Sequence, residues 1–560
     1  LTLQAKLQAA FVRFASNRAL EVGDLVLTYS ELHEKAAALA HAQAGADSQE
    51  RFLAIMAYRS VTAYAGLAGA LLAGKAYLPF SPRFPPGRIR EMLAISGCRT
   101  IVLGPECLRT FTELLESTDD QFPALRILHL PEHAGALAPL ARRFPRHSFI
   151  SAIQRGPGAA ADLPHAGPDD YAYLLFTSGS TGHPKGIAIT QRNVCAFVDF
   201  ILSHYDYRPQ DRISQAFDLT FDPSVHDLFS AWLSGACLCT VPAATLFAPT
   251  RFIQEKRLSV WYSVPSVPLF MDKLRMLKPG IFPDLRYSMF AGEALAQTSA
   301  EKWQEAAPNS LVVNAYGPTE ATVTITCYHW DRRTSAALCR NGGVPLGRPN
   351  PGQEIRIVSA DGREAPPDQP GELMVSGSQV AAGYYQAPEL TKAAFRPLPG
   401  QPGKIWYATG DLAEKDRAGI LHYRGRIDTQ VQVRGNRVEL LEVEGILKKA
   451  AGTDFAAAVP WPPKTAAGRA DELIAVLGGS ARPALAEDVL AACKAALPSY
   501  MVPSAVLFLE KFPLNANGKI DRTAIAAFVM DMKSGGKAPL PPGGGLKAPL
   551  KGLPDGKHIS

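Results

Sequence analysis

Between about residues 50 and 315 the chain alternates short β-branched or apolar runs with longer helix-compatible stretches. The runs fall at 52–56, 100–103, 126–130, 171–176, 213–217, 237–241, 259–263, 286–290 and 310–314. Alternation of this kind predicts βαβ units, with largely parallel sheet buried under helices. Nine such strands are more than one ordinary sheet of this type holds, so two sheets are expected. Between about 342 and 425 the strands shorten and Gly and Pro turns separate them, as in Gly371-Glu-Leu-Met-Val-Ser-Gly377. This predicts a smaller β-rich subdomain. After Gly425-Arg-Ile-Asp428 the pattern restarts, with helices expected at 439–449 and 484–497. The expected organisation is an α/β large domain over 1–427, including the β-rich 342–425, then a small α+β domain over 428–530. The Lys, Gly and Pro of 531–560 bury too little surface to order a tail.

The most chemically specific segment is Thr177-Ser-Gly-Ser-Thr-Gly-His-Pro-Lys-Gly186, which follows the uncharged strand 171–176. The backbone N–H groups of Gly179 and Gly182 approach phosphate oxygens without a Cβ in the way. Thr177, Ser178, Ser180 and Thr181 add hydroxyls, and Lys185 adds charge. A Walker A loop runs Gly-Lys-Ser/Thr into a helix; here Pro184 precedes the lysine and disfavours helical geometry at His183, so an open, mobile loop is expected.

Composition narrows the remaining classes. The net charge of +6 is concentrated in the tail, where Lys533, Lys537, Lys547, Lys551 and Lys557 oppose Asp555. No basic, aromatic-studded patch in the body suggests nucleic acid. The uncharged run 228–250 is broken by Gly235, Pro242 and Pro249, which predicts a buried helix, strand and turn in place of a membrane span. The eight cysteines lack metal or disulfide spacing, and free thiols in a cytoplasmic protein are expected. No secretory signal is visible, and a chain beginning at Leu1 fits a processed or excised segment.

The phosphate loop is accompanied, in order, by Leu27-Thr-Tyr-Ser-Glu-Leu32, Phe221-Asp-Pro-Ser224, Asn314-Ala-Tyr-Gly-Pro-Thr-Glu320, Gly371-Glu-Leu373, Tyr407-Ala-Thr-Gly-Asp-Leu412, Gly425-Arg-Ile-Asp428, Leu497-Pro-Ser-Tyr-Met-Val-Pro503 and Asn517-Gly-Lys-Ile-Asp-Arg522. Over about residues 25–530 this set closely resembles the adenylation domains of nonribosomal peptide synthetases, in the superfamily that includes acyl-CoA synthetases and firefly luciferase. The resemblance implies ATP-dependent activation of a carboxylate as an acyl-adenylate, with loss of pyrophosphate. Transfer to the phosphopantetheine thiol of a carrier protein then follows. It implies a mobile C-terminal lid, with Asp428 as hinge and the Arg434-Gly435 segment serving the thioester step.

By the same resemblance, Thr177, Ser178, Gly179, Ser180, Thr181, Gly182 and Lys185 hold the β- and γ-phosphates. Gly292, Glu293, Asn314, Ala315, Tyr316 and Gly317 surround the nucleotide, with Tyr316 against adenine. Thr319 contacts the α-phosphate, Glu320 helps bind Mg²⁺, Asp411 accepts the ribose hydroxyls, and Tyr423 and Arg426 flank the sugar. Lys519 reaches the reacting oxygens when the domains close, and a compact ammonium there stabilises developing charge. Ser81, Gln432 and Leu441 depart from the family's usual aspartate, lysine and glycine. The last two lie in the thiolation segment.

Asp222 matches the position that pairs with the α-ammonium of an amino acid, since a buried carboxylate needs a cation; a helix N-cap is the alternative reading. The pocket positions are Asp222, Pro223, His226, Tyr262, Met289, Ala291, Ala315, Val323 and Thr324. They predict a small to medium amino acid. His226, Tyr262 and Thr324 are available to a polar side chain, and a structural role for His226 stays open. Carrier motifs do not follow Arg522, so the acceptor is expected in trans or from a removed downstream domain. A need for a small MbtH-like helper is left open. The competing readings are an acyl- or aryl-CoA ligase, a luciferase-like oxidase and a non-catalytic scaffold.

Overall fold

The computed structural model describes residues 1–43, 49–118, 122–153, 163–179, 183–463, 469–478, 486–509, 512–514 and 520–533. The chain divides into two compact units. The first comprises Leu1–Pro82, Ile89–Thr177 and Lys185–Ile427; the second comprises Asp428–Ser560 with the short segments Arg83–Arg88 and Ser178–Pro184.

Two large sheets build the first unit. The seven-stranded sheet has the order Ser148–Ser151, Arg126–His129, Thr100–Leu103, Phe52–Met56, Ala76–Pro79, Tyr171–Thr177, Lys185–Thr190. Its strands are parallel except for the final antiparallel pair. The nine-stranded sheet has the order Arg348–Pro349, Thr326–His329, Leu311–Tyr316, Tyr287–Phe290, Val260–Ser263, Arg212–Gln215, Cys237–Thr240, Arg18–Val22, Leu25–Thr28. Parallel pairing fills its interior and antiparallel pairing closes both edges. All the strands expected from the alternation are present, the first four in one sheet and the last five in the other.

Burial explains why these runs are continuous in apolar character. Every residue of Phe52–Met56 is buried, as both faces of a parallel sheet are covered. The Val61–Leu72 helix is buried from Thr62 through Leu72, which an amphipathic surface helix would not be. Thr28 and Glu31 form a reciprocal capping box that starts the Tyr29–Ala42 helix, so the Thr-Tyr-Ser-Glu string has a local structural purpose.

The 228–250 run resolves into the expected helix, strand and turn. The Pro223–Ser234 helix ends at Gly235, whose φ of +80° is left-handed and whose position would bring a Cβ within 2.6 Å of the Phe14 ring. The Cys237–Thr240 strand and a short turn at Ala243–Thr245 follow. Among the described residues no helix is long and apolar enough to cross a membrane. All eight cysteines are free thiols.

The remainder of the first unit is a five-stranded antiparallel sheet of Gln353–Val358, Gly371–Gly377, Ile405–Lys415, Phe395–Pro397 and Leu421–Arg426. Its core residues Ile357, Leu373 and Val375 pack with Ala321 and Ile325. That cluster ties the β-rich sheet to the turn following Leu311–Tyr316.

The second unit is α+β. Gln430–Val433, Asn436–Glu439 and Arg469–Ala470 form one three-stranded sheet, and Ala456–Trp461, Glu472–Gly478 and Ala505–Leu509 form another. Arg434 at φ +50° and Gly435 at φ +81° make the two-residue hairpin turn between the first two strands, matching the twist such hairpins require. The helices Leu440–Ala451 and Ala486–Ala496 place Val443, Leu447, Val489 and Cys493 in a core with Leu473 and Leu477. The Arg522–Lys533 helix ends the described part of the unit. Residues 534–560, which hold most of the expected tail, lie outside the described residues.

Candidate active site

Thr177 and Lys185 face each other as register partners on adjacent antiparallel strands, so the phosphate-loop sequence between them is the connection of a hairpin. The Thr177 hydroxyl is buried without a hydrogen-bond partner. The Lys185 ammonium lies 5.3 Å from the centre of the Tyr384 ring. Ser178 and Gly179 group with the second unit. Ser180, Thr181 and Gly182, together with Lys519, lie outside the described residues.

A second group forms where the Leu311–Tyr316 strand meets the β-rich sheet. The Tyr316 hydroxyl donates to Asp411 Oδ2 at 2.6 Å, and Arg426 Nη1 donates to Asp411 Oδ1 at 2.7 Å. Burial and then the Asp411 charge push the Tyr316 hydroxyl well above its ordinary value, so it stays a donor. Arg426 Nη2 also donates to the Thr409 carbonyl at 3.1 Å. Asp411 and Arg426 are themselves register partners. Tyr423 lies on the same Leu421–Arg426 strand. Each Asp411 oxygen holds one protein donor and retains acceptor capacity for a diol.

Asn314 uses its amide differently, donating to the Val344 and Pro345 carbonyls at 3.2 and 2.8 Å. It fixes the strand end. Gly292 and Glu293 follow the Tyr287–Phe290 strand, and Glu293 Oε2 accepts the Ser266 N–H at 2.9 Å. Gly317 admits close packing: a Cβ there would lie 2.6 Å from both Thr324 Cα and the Val323 carbonyl oxygen.

After Gly317 the chain makes a short turn at Thr319–Ala321. Glu320 is fully buried, and its Oε1 accepts the Tyr384 hydroxyl at 3.0 Å. Thr322 and Val323 follow with φ of +54° and +69°. Left-handed backbone at a non-glycine residue costs on the order of 1–3 kcal/mol, and β-branching makes it less favourable still.

The third group centres on Asp222. It stands at the N-cap position of the Pro223–Ser234 helix, yet its side chain makes no capping hydrogen bond. The alternative assignment as a helix cap therefore fails. Asp222 Oδ2 is buried with no hydrogen-bond partner. Burial first, and then the Glu320 charge, push its carboxyl up to about 7.

One turn along the same helix, His226 is buried and held down to about 3 by desolvation. It is neutral in the working range, and its Nε2 lies 2.9 Å from the Tyr207 hydroxyl. That bond occupies the ring nitrogen and gives His226 a structural partner. The Tyr262 ring meets the His226 ring edge-on at 4.7 Å, and its hydroxyl is buried and unpartnered. Tyr262 and Met289 are register partners on neighbouring strands, with Ala291 just beyond. Ala315 lies on the next strand, and Val323 and Thr324 belong to the strained turn. Ser81, one of the departures, donates to Asp218 Oδ2 at 3.2 Å.

A family model described as AMP-binding enzyme matches residues 7–385. The chain belongs to the AMP-binding enzyme family. Tyrocidine synthase 3 of Brevibacillus parabrevis is 32% identical over 529 residues, covering 94% of this chain and 8% of that protein. Bacitracin synthase 3 of Bacillus licheniformis is 33% identical over 504 residues, covering 89% of this chain and 7% of its own length. The chain thus spans a small fraction of these curated relatives. Among solved structures, the Vibrio cholerae adenylation domain AlmE, in complex with glycyl-adenosine-5'-phosphate, is 31% identical with a TM-score of 0.85. That match covers 94% of this chain and 97% of AlmE.

In this AMP-binding enzyme three site residues carry no signal in the sequence: Tyr207, Gln379 and Tyr384. Tyr207 is one aromatic among many, and nothing in its neighbourhood marks it. Tyr384 sits in Gly383-Tyr-Tyr385, near the Gly371-Glu-Leu373 string, but its bond to Glu320 spans 64 residues. Gln379 is fully buried and reaches across to the strained turn.

Proposed function

We propose that this chain activates a small α-amino acid as its aminoacyl-adenylate and passes it to the phosphopantetheine thiol of a carrier protein. The observation that carries this reading is the buried, unpartnered Oδ2 of Asp222. An ionised carboxylate in such a place needs a cation, and a substrate ammonium supplies one where a fatty or aryl acid does not. The glycyl-adenylate held by AlmE makes glycine the first candidate, and Tyr262, Met289 and the Tyr207-bonded His226 favour a small side chain.

In the first half-reaction a substrate carboxylate oxygen bonds to the α-phosphorus of ATP, the bond from that phosphorus to the bridging oxygen breaks, and pyrophosphate leaves. Thr177, with the loop through Lys185, holds the phosphates, and Thr319 faces the α-phosphate. Gly292, Glu293, Ala315 and Gly317 border the nucleotide. Tyr316, Asp411, Tyr423 and Arg426 hold the nucleoside. Lys519 supplies positive charge at the reacting oxygens. Such a reaction depends on alignment and charge stabilisation more than on a protein nucleophile. In the second half-reaction the thiolate sulfur bonds to the acyl carbon and AMP leaves.

Glu320 fits Mg²⁺ that arrives with ATP, because this ion is commonly held by one or two carboxylates together with substrate phosphates. Among the described residues no group of three or more His, Cys, Asp or Glu side chains gathers for a metal. The bound ion would neutralise phosphate charge. Free thiols and ATP chemistry suit the cytoplasm. A helper requirement is tested by adding an MbtH-like protein to the assay.

The reading is tested by carrier loading. Incubation with ATP, the activated amino acid and a phosphopantetheinylated carrier should yield a thioester detectable by intact-protein mass spectrometry. Formation of a free CoA thioester, with no carrier loading by any amino acid, would instead favour a CoA ligase.

A further inference from the structure

Thr322 and Val323 occupy left-handed backbone with neither glycine nor asparagine to favour it. Their conformation is braced from a distant segment. Gln379, in the loop after the Gly371–Gly377 strand, is fully buried. Its Nε2 donates to the Thr322 carbonyl at 3.0 Å and the Thr324 carbonyl at 2.9 Å, with the Ala321 carbonyl at 3.4 Å. The main-chain carbonyl of Gln379 accepts the Thr322 hydroxyl at 2.5 Å. The two best-formed bonds from the amide straddle Val323. Asn350 Nδ2 adds a bond to the Thr324 carbonyl at 3.0 Å. Glu320, three residues earlier, has separate anchors: its carbonyl accepts the Ala381 N–H at 2.8 Å and its carboxylate accepts the Tyr384 hydroxyl.

We propose that Gln379 is a positioning residue of the amino-acid site: by clamping the carbonyls on both sides of Val323, it fixes the left-handed turn that carries the pocket positions Val323 and Thr324. The assignment rests on the adenylation reading above. Gln379 acts entirely through the turn. Loss of its amide relaxes the Val323 half of the turn, while Ala381 and Tyr384 keep the Glu320 half in place. The defect therefore falls on the amino acid and spares ATP.

The test is steady-state pyrophosphate exchange by the full chain, with the best of glycine, alanine, serine and threonine as substrate. Gln379→Met keeps the length of the side chain and removes its donor. It should raise KM for the amino acid about tenfold, the scale of one hydrogen bond, while KM for ATP changes less than about twofold. Gln379→Leu, a second side chain without a donor, should shift KM the same way; it carries the test if Gln379→Met does not fold. Equal rises in both KM values, or no change in either variant, overturns the role of Gln379 while adenylation by the wild type stands. Absence of exchange with any of the amino acids in the wild type overturns the adenylation reading and this assignment together.

Discussion

Asp222 is where folding and binding pull against each other most directly. Its carboxyl is raised by burial and by the Glu320 charge to about 7 in the folded protein, from an ordinary value of 3.8. Between those values the folded chain binds more protons than the unfolded chain, so this residue's contribution to stability declines as pH rises through that window. Asp222→Asn should accordingly raise the melting temperature near pH 8, with the gain vanishing toward pH 4; an equal gain at both ends would show that the carboxyl does not titrate as described. Binding under the proposed pairing has the opposite dependence, because a substrate ammonium needs the anion. Amino-acid affinity measured by calorimetry should fall as pH drops below about 7, and the asparagine variant should lack that limb. Asp222→Ala should weaken amino-acid binding by roughly 1.5–3 kcal/mol, as for a lost charged hydrogen bond. Lys519→Ala should lower exchange by about 10²–10³ while ATP binding persists, the scale of one transition-state donor. A loss below about fivefold would remove Lys519 from the mechanism.

At the scale of elements, the turn between Leu311–Tyr316 and Thr326–His329 gathers the site by close packing and strain. Gly317→Ala would push a Cβ into Thr324 Cα and the Val323 carbonyl, each 2.6 Å away. It should destabilise the fold by about 2 kcal/mol or more and weaken both substrates. An unchanged denaturation midpoint would contradict this packing. Much of the framework is legible in the sequence, since strand runs such as Phe52–Met56 owe their form to local apolar patterning and two-sided burial. The strand leading into the Thr177 loop is legible as well, whereas its antiparallel pairing with Lys185–Thr190 is not. Strands such as Ala76–Pro79 and Ser148–Ser151 escape notice because the first ends on proline and the second is bounded by serines, unlike the equally short but apolar Thr100–Leu103. The Gln379 brace is illegible for another reason: it links residues 57 apart, and no local sequence rule favours positive φ at Thr322 or Val323. For His226 the sequence leaves a ligand role and a structural role open, and only the fold supplies Tyr207 as its partner.

For the whole molecule, the proposed nucleoside group of Tyr316, Asp411 and Arg426, the Thr177–Lys185 pair and Asp222 all belong to the first unit, whereas Lys519 is numbered in the second. Ile427 closes the first unit and Asp428 opens the second. Asp428 Oδ1 accepts the Gln430 N–H at 3.1 Å, a local turn that suits the proposed hinge. Residues 1–427 produced alone should then bind ATP within about tenfold of the full chain's affinity, by calorimetry, yet fail to catalyse exchange. Loss of ATP binding on truncation would contradict a nucleotide site built in the first unit. The central claim is that this AMP-binding enzyme activates an amino acid through Asp222. Its most direct test is exchange of labelled pyrophosphate into ATP across the common amino acids, with fatty and aryl acids alongside. Exchange with glycine or another small amino acid, abolished or strongly weakened in Asp222→Ala, is the predicted result. Exchange with fatty or aryl acids alone, indifferent to Asp222→Ala, would contradict it.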